Sequence, residues 1–169
     1  MNLSFSTRGW PELSWEEMVD TALDMGFAGI EEYNLPKFEA MLAKGGPFHQ
    51  YQTAATARDL REKKLTIPCF DTSCDLSSDP SAVETLTGLM EVARNAQVKY
   101  VVACALTDKE ETVRAALEQL VPQAEKLGVT LLLKTSGIYA DTARLRNMLD
   151  QFASDNLGAL WDVHHPYRD

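Results

Sequence analysis

Two rhythms of apolar and polar residues succeed one another along the chain. Leu3–Ser6 reads as a short strand. Ser14 then opens a helix, with Glu17 three residues on as a capping box. Met18, Ala22 and Met25 follow at helical spacing, and Gly26 stops the helix. Gly29–Tyr33 reads as a second strand, followed by a long loop with Pro36, Gly45-Gly46-Pro47 and His49. Helix returns over Thr53–Lys63, and a third strand is predicted at Leu65–Asp71. Ser78-Asp79-Pro80 predicts a cap with Pro in the first turn, and Val83, Leu86, Leu89, Met90 and Ala93 form the apolar face behind it. Lys99–Ala105 is a fourth strand, Asp108–Leu127 a helix closed by Gly128, and Val129–Leu133 a fifth strand. Asp141–Phe152 is a last helix and Leu157–Trp161 a sixth strand.

Strand and helix thus alternate five times, and one more strand follows. Strand centres recur every 26–37 residues or so, roughly the size of a βα unit. Tyr100–Ala105 and Val129–Leu133 are nearly continuous apolar runs, as suits a parallel sheet buried on both faces. A closed eight-unit barrel takes about 250 residues, about 31 per unit; 169 residues make roughly five and a half. The expected fold is α/β, a parallel sheet of six strands and five helices, and the strand-six residues quoted below favour an incomplete (β/α) barrel-like sheet that lacks the last two units. It is read as one domain, residues 1–169, ending after strand six. A doubly wound open sheet, with its reversal of strand order, is the alternative.

Charge narrows the function. There are 25 Asp and Glu against 16 Lys and Arg, a net charge of −9 at pH 7, and the basic residues are scattered. A nucleic-acid backbone needs a basic stripe and an anionic membrane surface a polybasic segment, so neither partner is expected. No run approaches 18 apolar residues, and Met1–Ser6 lacks the basic start and apolar core of a signal peptide. Cys69, Cys74 and Cys104 are odd in number and form no CxxC, which points to small buried hydrophobes in a reducing, cytoplasmic setting.

In parallel α/β sheets the ligand lies at the carboxyl ends of the strands. Polar residues gather there: Ser6 and Thr7, Glu31 and Glu32, Asp71 and Thr72, Lys134 and Thr135, Asp162 and His165. Strand ends also turn polar simply on meeting solvent, so the pattern admits both readings. Ser6–Pro11 carries neither GxGxxG nor a phosphate loop, and no GxSxG elbow occurs, which removes dinucleotide, NTPase and serine-hydrolase readings. The sharpest group is Trp161-Asp162-Val163-His164-His165-Pro166. A carboxylate ending a strand, with an imidazole at D-x-x-H spacing, suits Mn²⁺, Mg²⁺, Co²⁺ or Zn²⁺; a polar strand end before a Pro turn is the plainer reading. Asp71 is read as capping the turn that follows it. Trp10 and Phe48 either face a ligand or pack loops onto the rim, and His49 is either a lid residue or merely exposed. Arg168 either holds a phosphate or lies loose beside the terminus.

These stretches resemble the first two-thirds of a xylose-isomerase-like barrel of the sugar phosphate isomerase/epimerase group. Leu3-Ser4-Phe5-Ser6-Thr7, Gly26-Phe27-Ala28-Gly29-Ile30-Glu31, Phe70-Asp71-Thr72-Ser73, Leu131-Leu132-Leu133-Lys134-Thr135 and Asn156 through His165 carry the likeness. The resemblance implies metal-dependent proton transfer between neighbouring carbons of a sugar or sugar phosphate. It also implies a divalent ion held by carboxylates ending strands five and six and by residues of strands seven and eight. Asp162 matches the strand-six ligand, and His165 the substrate-contacting His. Glu31, Trp10 and His49 are the other expected substrate-binding residues. Lys134 stands where the resemblance implies a Glu, so no catalytic residue is assigned. An ammonium has no lone pair to ligate a metal; Lys134 is expected either to pair with Asp162 or to reach solvent. Three readings stay open: an isomerase completed by a partner chain or by self-association through the open sheet edges, a non-catalytic sugar-binding domain, or a fragment of a longer enzyme.

Overall fold

Six parallel strands pair only with their neighbours in sequence, in the order β1 to β6. They are β1 (Ser4–Ser6), β2 (Gly29–Tyr33), β3 (Cys69–Asp75), β4 (Tyr100–Cys104), β5 (Thr130–Lys134) and β6 (Leu157–Leu160). The helices are α1 (Trp15–Asp24), α2 (Glu39–Leu42), α3 (Thr53–Glu62), α4 (Ala82–Ala96), α5 (Glu110–Leu127) and α6 (Thr142–Phe152). The structure is a computed structural model and describes residues 2–163. The sequential order excludes a doubly wound sheet, which requires a reversal. Five helices are those expected from periodicity. The single-turn α2 is additional and too short to leave a periodic signal.

Local chemistry explains the boundaries. At α1 the Ser14 hydroxyl accepts from the Glu17 N–H, and the Glu17 carboxylate accepts from the Ser14 N–H at 2.8 Å. The third strand begins four residues later than expected. Pro68 has no N–H to give a ladder, and Thr66 makes only an isolated bridge to Gly29. The next helix is also late. It opens at Ala82 with Ser81 as N-cap, because Pro80 disfavours helical backbone at Asp79. The Asp79 carboxylate instead accepts from the Ser81 N–H and hydroxyl at 2.9 and 2.7 Å.

Strand pairing sorts the side chains onto two faces. Phe5 pairs with Ile30, Glu32 with Phe70, Phe70 with Val101, and Val101 with Leu131, which pairs with Leu157. This row belongs to one core with Met18, Leu60, Leu86, Met90, Leu117, Leu120 and Met148 from the helices, so it is the helix-covered face. The other row holds Ser6, Glu31, Tyr33, Asp71, Val102, Leu132, Lys134 and Leu160. All three cysteines are buried and unpaired. Burial pushes the Cys69 and Cys104 thiols up to about 12 and about 11. Just past β6 the apolar residues Trp161 and Val163 are 61% and 70% exposed.

Candidate functional site

The helix-free row concentrates charge at the carboxyl ends of the strands. Lys134 ends β5 and forms an ion pair with Asp71 of β3 at 2.5 Å. Both side chains are largely enclosed, 13% and 6% exposed. The pair passes over β4, because Asp71 is in register with Val102, and Val102 with Leu132. Lys134 lies two residues beyond Leu132 on the same face. Burial alone would lower the Lys134 pKa, but its hydrogen bond and charge attraction to Asp71, with Glu31 and Asp162 adding to them, raise it. Lys134 is therefore a fixed cation at neutral pH. This corrects two expectations: the ion pair of Lys134 is with Asp71 rather than Asp162, and Asp71 binds Lys134 rather than capping a turn. The reason is alternation. Counting by twos from β3 and from β5 places both residues on the helix-free face.

Asp71 is not fully satisfied. Its Oδ2 accepts from Lys134, while Oδ1 is buried without a hydrogen-bond partner. Asp162 sits just past β6, and its backbone is tied to β5: its N–H donates to the Thr135 hydroxyl at 2.8 Å, and its carbonyl accepts from that hydroxyl at 3.4 Å. Glu31 and Asp162 both act on the charge of Lys134, so two of the expected site residues converge here. Trp10 lies on the loop after β1, 42% exposed. The rings of His49 and Tyr51 meet at a tilt of 54°, their centres 5.4 Å apart. Its neighbour Phe48 is buried between Trp15 and Phe70, which settles Phe48 as core. His165 and Arg168 lie outside the described residues.

The neighbouring carboxylate, Glu32, has the opposite fate. It faces the helix layer, is fully buried, and neither carboxylate oxygen has a partner. Desolvation pushes its pKa up to about 8, so it is an uncharged acid at neutral pH. Sequence reading noted Glu32 beside Glu31 but assigned it nothing. The period-two alternation of Ile30 and Glu32 was the available signal.

The described side chains at this end of the sheet do not suit a divalent ion. Among the described residues no three His, Cys, Asp or Glu side chains gather as ligands, and the enclosed position at β5 is held by an ammonium. What the arrangement can do is hydrogen-bond: acceptors on Glu31 and Asp71 flank a donor on Lys134.

Comparison with known proteins places the architecture. A family model described as "Xylose isomerase-like TIM barrel" matches residues 19–169. A search of curated proteins finds no match. Among solved structures, a D-allulose 3-epimerase from Methylomonas sp. superposes with a TM-score of 0.72 at 18% identity, covering 100% of this chain and 65% of that one. The IOLI protein, solved with a zinc atom, gives 0.70 at 17% identity, over 94% of this chain and 62% of that one. A xylose isomerase-like TIM barrel protein from Mycobacterium smegmatis, solved with magnesium, gives 0.66 at 15% identity, over 94% and 63%. The chain thus spans less than two-thirds of the length of each of these structures.

Proposed function

Since the chain belongs to the xylose isomerase-like TIM barrel family, whose fold it shares with sugar epimerases, we propose that it binds a small sugar or sugar phosphate at the carboxyl ends of its strands and does not isomerise it. The observation that carries the reading is the enclosed Lys134–Asp71 pair. Proton transfer between neighbouring carbons needs a group that takes the proton and one that returns it. General acid–base help of this kind contributes about 10²–10⁴-fold. Lys134 is held charged and cannot accept a proton at neutral pH. Polarisation by a divalent ion would contribute further, and the described donor set does not fit one.

The partner surface follows from the sheet. β1 and β6 are its edges, and the exposed apolar residues Trp161 and Val163 follow β6 in the chain. Open edges recruit further strands, so the 169-residue polypeptide is expected to self-associate through them. Its net charge of −9 argues against a nucleic-acid partner. Among the described residues no helix is long and apolar enough to cross a membrane. The buried, unpaired cysteines support a reducing, cytoplasmic setting for what is read as a single domain. The test is a screen of aldoses, ketoses and their phosphates with Mn²⁺, Mg²⁺ and Co²⁺, alongside light scattering. Negligible turnover with a mass above the monomer is expected. Turnover above about 1 s⁻¹, an ordinary enzymatic rate, overturns the non-catalytic reading, and a monodisperse monomer overturns the self-association.

A further inference from the structure

A groove lies at the opposite end of the sheet from Asp71 and Lys134. Its narrower part, about 240 Å³, is lined by Ile67 and Pro68 just before β3, by Val98 and Lys99 just before β4, and by Arg61 and Gln97. Arg61 and Gln97 also line the adjoining part, about 470 Å³, together with Arg94 and Asn95 of α4. Among the described residues no carboxylate lines either part, in a chain with 25 Asp and Glu. The arginines are uncommitted. A guanidinium carries five donors; Arg61 gives one to the Gln97 side-chain carbonyl at 3.3 Å, and among the described residues neither arginine forms an ion pair. Each sits in the last turn of its helix, where a cation ordinarily answers the helix dipole. Here the backbone already caps both turns. The Lys63 and Lys64 N–H groups donate to the Asp59 and Arg61 carbonyls, and the Gln97 and Val98 N–H groups to those of Arg94 and Ala93.

We infer that this groove between α3 and α4 is a separate binding site, which takes a soluble phosphate monoester with a small apolar body. Such an ester carries close to two negative charges at neutral pH and three acceptor oxygens. Two guanidinium forks match it in charge and in geometry. A carboxylate, with one charge, leaves one fork unmatched. The apolar body lies toward Ile67, Pro68 and Val98 in the narrower part. Lys99, whose ammonium stands 5.1 Å from the centre of the Tyr100 ring, adds a third positive charge there. The inference is independent of the sugar-binding reading, because the groove shares no residue with the carboxyl ends of the strands.

Calorimetric titration of phenyl phosphate and of benzoate into the protein tests this. Saturable binding of phenyl phosphate at one site is expected, with benzoate weaker. The double variant Arg61→Gln/Arg94→Gln is expected to bind phenyl phosphate about ten- to hundredfold more weakly, the scale of charge-assisted hydrogen bonds. Lys109→Gln/Lys126→Gln removes the same charge from exposed positions outside the groove and is expected to bind as wild type does. Circular dichroism establishes that both variants are folded. Amide resonances of the wild type, followed through the titration, locate the ligand without any variant; shifts are expected at Ala57, Asn95 and Gln97. Shifts confined to Thr7, Glu31 and Thr135 at the other end of the sheet overturn the inference. So do the absence of saturable binding, equal weakening in the two double variants, and benzoate binding as tightly as phenyl phosphate. Vesicles of phosphatidylcholine and phosphatidic acid present the same phosphate on a surface. A chain of net charge −9 is not expected to sediment with them, and sedimentation that the arginine variant abolishes overturns the soluble ligand in favour of a lipid.

Discussion

Replacing Glu32 with Gln removes a titration from the middle of the core while keeping the side chain's shape. Glu32 is fully buried, its two carboxylate oxygens are unpartnered, and its pKa rises from 4.5 to about 8. Below pH 4.5 both folded and unfolded chains hold the proton, and Glu32 makes no pH-dependent contribution. Between 4.5 and 8 the unfolded chain releases the proton while the folded chain retains it. Stability is therefore lost as pH rises through this window, and above it the loss is complete. At 1.36 kcal/mol per unit, the shift sets an upper bound of about 5 kcal/mol. Urea unfolding of wild type and Glu32→Gln at intervals from pH 4 to 9 measures it. The expected outcome is two proteins of similar stability at the acid end, with the variant gaining about 1.4 kcal/mol per pH unit on the wild type through the window. Parallel stability curves would refute the reasoning, because they require a Glu32 that titrates as freely as in the unfolded chain.

Three further substitutions probe other contacts. Asp75 accepts from the Ser77 N–H and hydroxyl, the Ser78 hydroxyl and the Leu106 N–H. Burial alone would raise its pKa, but these bonds lower it. Asp75→Asn is expected to cost about 1–3 kcal/mol at neutral pH. The difference fades as pH falls below the ordinary Asp value and through the lowered one; acid titration of both proteins checks this, and a constant difference counts against it. Gly137 has φ +58, and an added Cβ would press into the Ala105 carbonyl and the Leu106 backbone. Gly137→Ala is thus expected to lose about 3 kcal/mol or more, read as a lowered Tm; a change within about 0.5 kcal/mol speaks against that crowding. Lys134→Glu converts the enclosed cation to a carboxylate beside Asp71, Glu31 and Asp162 and is expected to raise Mn²⁺ affinity by calorimetry. Equal or weaker affinity than wild type refutes the role of Lys134 in excluding the ion.

Periodicity carried the succession of elements because each helix packs one apolar stripe and each inner strand is a short apolar run. Caps were legible where a single motif decides them, as at Ser14 and Glu17. Boundaries beside prolines were misplaced at Pro68 and Pro80, where apolar pattern and backbone capacity disagree. At the site, Lys134 and Asp71 were each noticed, but their partnership was not. It joins residues 63 apart, and only the register of three strands brings them together. Glu31 and Glu32 are adjacent and chemically alike. Which one enters the core depends on which face the helices cover, and the only local sign of it is Ile30, which shares a face with Glu32.

The ion pair that reaches over β4 also acts on alignment. A slip by one residue moves every side chain of a strand to the other face, and in a strand apolar on both faces it exchanges one hydrophobic row for another. β4 and β5 are strands of this kind, with Val101, Val102 and Ala103 all fully buried. A slip of β5 by one residue would turn Lys134 into the helix layer and strand Asp71 without its cation. Each of those errors leaves an uncompensated charge in a low-dielectric setting, a penalty of about 3–5 kcal/mol. The pair therefore makes misaligned pairings of β3, β4 and β5 unfavourable where their apolar side chains alone would tolerate them, and holds the central strands to a single alignment.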